Sequence, residues 1–224
     1  MARRSARGEQ LGSPTLSCTS RSSRASRAQR RSIRGLFCSL TFANATPNQT
    51  IPDNSLTGRA SQITVATPIT TILSVDLTLN IAGGYNGDYY AYLQYGSGLV
   101  VLLNRLDATP GNPYGSPGSG FRVTFNDAAP SISTAPAIAG QPLTGTFAPQ
   151  GGRLGSAFDG LNPNGTWTLF IADESPGGVG TLASWSLQIS GPGPAPVPES
   201  SGTTAGLFAV GLTALSALRV VRRS

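Results

Sequence analysis

The residues best placed to do chemistry in this chain are acidic: Asp76, Asp88, Asp127, Asp159, Asp173 and Glu174. The usual catalytic bases are missing, because the 224 residues contain no His and no Lys. A Ser-His-Asp triad, a His general base and a His-ligated zinc site therefore cannot be assembled from them. A Ser-Lys dyad is excluded in the same way. Two aspartates could in principle share a proton, but no Asp-Thr-Gly or Asp-Ser-Gly signature accompanies any of them. What remains for the carboxylates is the binding of a hard cation through oxygen ligands. Asp88 and Asp127 fall at expected strand ends, and Asp173 adjoins a Gly-rich loop, so these three are the candidate calcium ligands. No EF-hand spacing surrounds them. No cofactor is required by this pattern, and the expectation is a non-enzyme.

The elements that must position these acids read as β-structure. Ser61 to Ala66, Ile72 to Ile81, Tyr89 to Tyr95, Leu99 to Asn104, Phe121 to Phe125, Thr166 to Ile171 and Leu182 to Ile189 show alternating apolar residues. Gly96-Ser97-Gly98 reads as a hairpin turn, and DESPGGVG after Ala172 is a strong turn cluster. No useful helical period occurs between 41 and 191. Seven to nine strands punctuated by Gly and Pro predict an all-β jelly-roll sandwich. Trp167 and Trp185 are its large apolar anchors, placed by this reading on two strands joined by one hairpin. Gly165 and Gly180 let the chain turn tightly into those strands.

Charge divides the chain into parts. Residues 1–40 carry nine Arg against one Glu, whereas residues 41–196 carry four Arg against eight acids. The basic balance thus belongs to the tails, and the net −4 of the middle argues against nucleic acid as a partner. Residues 1–39 are Arg- and Ser-rich and read as a disordered head or a degraded export signal with Ala43-Asn44-Ala45 as its cut. Leu40 to Asn44 is also wanted as the first strand. Cys18 and Cys38 both lie in the head, so no disulfide framework is expected for the fold. The sandwich is assigned to 40–191, and the Pro-rich residues 192–197 form an extended spacer.

The C-terminal part, 198–224, has a distinct layout. Val197, Pro198 and Glu199 precede 19 uncharged residues from Ser200 to Leu218, and Arg219, Arg222 and Arg223 follow. That length reaches the short end of a membrane-spanning helix, and the arginines would stop it on the cytoplasmic side. This order resembles the PEP-CTERM sorting signal of bacterial exported proteins, with Ser200 standing where a second Pro is usual. The resemblance implies one transmembrane helix, cutting near the motif by an exosortase-type enzyme, and residence in the cell envelope or outside the cell.

Residues 162–191, NPNGTWTLFIADESPGGVGTLASWSLQISG, are similar to the closing hairpin of the P domain (P/Homo B) of proprotein convertases. The similarity runs through Gly165, Thr166, Trp167, Leu169, Asp173, Gly180, Thr181, Leu182, Trp185, Leu187 and Gly191. Asn86-Gly87-Asp88 and Phe125-Asn126-Asp127-Ala128-Ala129 resemble two further stretches of that family, which often has a His before the acid matching Asp88; this chain has none. The resemblance implies a domain that accompanies a subtilisin-like protease without catalysing. Two functions follow as expectations. One is an exported, surface-anchored or released non-catalytic module with protein or polysaccharide partners. The other is a detached P domain acting as accessory to a subtilisin-like serine endopeptidase.

Overall fold

The computed structural model describes residues 16–20, 36–44 and 48–194, and they form an all-β fold of two sheets. The strands are β1 (Leu16–Ser20), β2 (Leu36–Asn44), β3 (Gln49–Ile51), β4 (Ser55–Val65), β5 (Ser74–Gly83), β6 (Tyr89–Tyr95), β7 (Gly98–Asn104), β8 (Gly120–Phe125), β9 (Leu143–Phe147), β10 (Gly165–Asp173) and β11 (Gly180–Pro192). One five-residue helix, α1 (Leu154–Phe158), interrupts them. The larger sheet has the order β1-β2-β11-β5-β8-β9, with β3 also pairing β11. The smaller has the order β4-β10-β6-β7. Among these named strands every pairing is antiparallel except β8 with β9.

Alternation decides what each strand buries. In β6, Tyr89, Ala91 and Leu93 point inward; in β10, Trp167, Leu169, Ile171 and Asp173 do. The opposing sheet contributes Leu77, Leu79 and Ile81 from β5 and Phe121, Val123 and Phe125 from β8. These residues make one continuous hydrophobic core. In β11 the register shifts between Leu182 and Ser184, a bulge that lets Leu182 and Trp185 share the inner face although they are three residues apart. Both indoles find partners: Trp167 Nε1 donates to the Pro163 carbonyl at 3.0 Å and Trp185 Nε1 to Ser61 Oγ at 2.9 Å.

The two tryptophan strands are not a hairpin. β10 pairs with β4 and β6, β11 with β2, β3 and β5, so Trp167 and Trp185 face each other's sheet across the core. The DESPGGVG segment is an arch between layers, because it leads from a strand of the smaller sheet to a strand of the larger one. Gly165 does enter its strand at φ 145°, in the region open to glycine. Gly180 is needed for a different reason: a Cβ there would run into the hydroxyl of buried Tyr89. Gly180→Ala is therefore expected to cost about 1–3 kcal/mol by overpacking. Urea unfolding would check this, and an unchanged midpoint would refute it.

Part of the expected head belongs to the sheet. β1 lies against β2, and β2 pairs with β11 from Asn44↔Trp185 to Phe37↔Pro192. Cys38 is fully buried, and it is bonded to Cys18, its cross-strand neighbour. The disulfide corrects the expectation from cysteine placement. The Arg and Ser around them hid an alternating run in which Cys38, Leu40 and Phe42 are buried. The residues just before the Ala43-Asn44-Ala45 cut of the export-signal reading are thus an inner strand of the sheet. Strand β9 and helix α1 were also not anticipated, being short and Gly-containing. The sorting-signal residues Val197, Pro198, Glu199, Arg219, Arg222 and Arg223 lie outside the described residues. Among the described residues no helix is long and apolar enough to cross a membrane.

Candidate functional site

Acidic side chains converge where β10 ends beside the start of β6. Asp173 pairs with Tyr89 across the ladder, and Asp88 precedes Tyr89 in a single turn of 3-10 helix, Asn86–Asp88. The Glu174 N–H closes the junction by donating to the Asp88 carbonyl at 2.9 Å. Asp173 continues the inward alternation of Trp167, Leu169 and Ile171, so it is fully buried by the same periodicity that builds the core. Asp53 joins from the segment before β4 and accepts the Gly177 N–H at 3.2 Å.

Arg105 is the cation of this cluster. Its Nε donates to the Gly87 carbonyl at 3.3 Å, and its Nη2 donates to the Pro113 carbonyl at 3.0 Å and to Ser175 Oγ at 3.1 Å. Asp173 Oδ1 accepts the Ser175 N–H at 3.4 Å, while Oδ2 is buried without a partner among the described residues. Burial pushes the Asp173 carboxyl up to about 6; the Ser175 N–H opposes this, and the charges of Asp88 and Asp53 add to it. Asp88 is also raised by burial, against the pull of Ser175 and Arg105.

Asp127 stands elsewhere. It follows β8 at the Leu77 end of the larger sheet, whereas Tyr89 bonds to Gly83 at the other end of β5. Its two oxygens accept the N–H groups of Leu154 and Gly155 at 2.9 and 2.7 Å, which caps α1. The three acids expected to share calcium are thus divided: Asp88 and Asp173 come together, and Asp127 does not. Among the described residues, no three His, Cys, Asp or Glu side chains are grouped as a metal cage. Asp53 and Arg105 were missed from sequence. The signal was faint: Arg105 is one of only four arginines between 41 and 196.

The raised Asp173 carboxyl makes a signed prediction. Below about pH 4 it is protonated in both folded and unfolded chains and costs nothing. Between about 4 and 6 the folded chain holds more protons, so stability falls as pH rises; above 6 the penalty is constant. Asp173→Asn removes this component. With allowance for solvent screening, the gain at pH 8 is on the order of 1–2 kcal/mol. Urea unfolding at pH 4, 6 and 8 reads it, and parallel pH curves for the two proteins would refute it.

Comparison with known proteins bears on the same stretch. The family model of the proprotein convertase P-domain matches residues 140–189, which run from the start of β9 nearly through β11. No curated protein matches the chain. Among solved structures, a serine protease of Aeromonas sobria is similar at 17% identity and a TM-score of 0.41. That similarity covers 69% of this chain and 27% of the protease, so the chain spans about a quarter of that protein's length.

Proposed function

We propose that this chain is an exported, non-catalytic β-sandwich module with P-domain-like, jelly-roll connectivity, held at the cell surface or released from it. The Cys18–Cys38 disulfide carries this reading. Disulfides persist in oxidising compartments outside the cytosol, and this one ties the first strand to the core. The tail from Val197 to Arg223 supplies the means of retention: a motif for an exosortase-type enzyme, a membrane-spanning segment and an arginine stop. The partners are polysaccharide or protein at the surface. Nucleic acid is not among them, since the central residues are net acidic.

Intact mass and non-reducing peptide mapping of the protein from its own cells test the reading. The expected result is a Cys18–Cys38 linked peptide in the envelope or medium and a C-terminus near Pro198-Glu199. Free thiols on a cytosolic chain ending at Ser224 would overturn it.

A second reading is favoured by the family match over 140–189. Here the module accompanies a separate subtilisin-like endopeptidase and stabilises or targets it. It predicts that an active-site serine probe labels a protease in the fraction that co-purifies with this chain. An unlabelled fraction would dismiss it.

A further inference from the structure

The outer face of the smaller sheet carries a row of aromatic rings beside a row of amides and hydroxyls. Across the strands Phe170 lies opposite Tyr92, and Thr168 lies opposite both Gln94 and Gln62. Tyr92 and Phe170 stack with centroids 4.9 Å apart and planes 18° apart, and Tyr90 meets Tyr92 edge-on at 6.2 Å. All three rings are half-buried although they point away from the core. Phe170 is spread over the neighbouring strand, because a Cβ at Gly58 would meet its ring at 2.6 Å. The glycine therefore makes room for the ring, which is laid along the sheet and braced by Tyr92. Four strands make this face about 14 Å across.

We propose that this face binds a neutral glycan chain, with Tyr90, Tyr92 and Phe170 as the stacking surface and Gln94, Gln62 and Thr168 as the polar row. Sugar rings present C–H faces that pack on aromatic rings and hydroxyls that need both donors and acceptors. The rings supply the first. Gln94 and the hydroxyls of Tyr90 and Tyr92, which have no hydrogen-bond partner among the described residues, supply the second. Gln62 Nε2 donates to Thr168 Oγ1 at 3.4 Å, which orients that amide. The outward positions of β4, β6 and β10 from Ala60 to Thr64, Tyr90 to Gln94 and Thr166 to Phe170 carry no charge. A neutral polymer leaves no ion unpaired at these positions, and they offer an acidic glycan no cation.

This inference deepens the surface-module reading and rests on it for its biological sense. Its test is independent of where the chain is cut. The purified full-length chain, in a detergent free of sugar, is run in native gels containing soluble starch, laminarin or hydroxyethylcellulose, with alginate as the acidic control. Retardation by at least one neutral polymer is expected. Tyr92→Ala should weaken it about tenfold, the size of one lost aromatic contact. Gln94→Ala changes an exposed side chain and should also weaken it while leaving unfolding unchanged. No retardation by any neutral polymer, retardation by alginate alone, or retardation unaltered in both variants would overturn the proposal. A failure here with the linked peptide and trimmed C-terminus found in cells would remove the glycan and leave the surface role standing.

Discussion

Trp167→Ala is expected to lower the unfolding free energy by about 3–5 kcal/mol. The side chain is fully buried between the sheets. It stacks on Tyr95 with centroids 4.2 Å apart and planes 5° apart, and Phe158 of α1 packs on it at 4.9 Å. Truncation would open a cavity and leave the Pro163 carbonyl without its 3.0 Å donor. Tyr95, through its hydroxyl bonds to the carbonyls of Asn162 and Asn164, and Thr67, bonded to the Asn164 side chain, would then hold the preceding loop without the indole. Since domains of this kind are stable by only about 5–15 kcal/mol, the variant sits near the edge of folding. Trp167→Phe keeps the stacking and loses the hydrogen bond, so its cost should be nearer 1–2 kcal/mol. Urea unfolding followed by the remaining Trp185 fluorescence measures both. Equal losses for the two variants would refute the division into packing and hydrogen bond.

Breaking the Cys18–Cys38 bond should cost about 3 kcal/mol, because the bond closes a loop with a sequence separation of 20. The effect begins locally. Among the described residues β1 pairs with β2 alone, so once untied its amides should exchange with solvent early, while β2 stays held by β11. Wild-type protein should lose stability on addition of dithiothreitol, and Cys18→Ser should match the reduced protein and ignore the reductant. A wild type indifferent to dithiothreitol would refute the prediction. It would also weaken the case that an oxidising compartment matters to this chain.

Much of the inner face was legible from the sequence. The alternation in YYAYLQY, LVVLLN, FRVTF and TWTLFI named most of the residues that these strands bury, since a strand with one face in the core must repeat every second residue. The same rule could have placed Asp173 inside, two positions beyond Ile171. The tail's layout and the absence of His and Lys were equally plain, because both are facts of composition and order.

Pairing was a different matter. Alternation states which way a side chain points and says nothing about which strand lies alongside. DESPGGVG is long enough for a hairpin or for an arch, and the need to bury Trp167 and Trp185 from opposite sides chose the arch. The parallel neighbour β9 and the partnership of Cys18 with Cys38 depend on contacts between distant segments, which no local pattern encodes. The aromatic face belongs to the same class. Tyr90 and Tyr92 are two residues apart in one strand, but Phe170 reaches them only because β10 lies beside β6 in that register.

The sequence by itself therefore determined the all-β class, many of the inward residues and the lack of the side chains that catalysis by His or Lys needs. These follow from local periodicity and from which functional groups exist at all. Only the tertiary structure decided which strands became neighbours, that Arg105 lies near Asp88 and which aromatic rings gathered on one face. Those choices are made by the whole core at once, because each strand's partner is set by burying every inward face against a single shared interior.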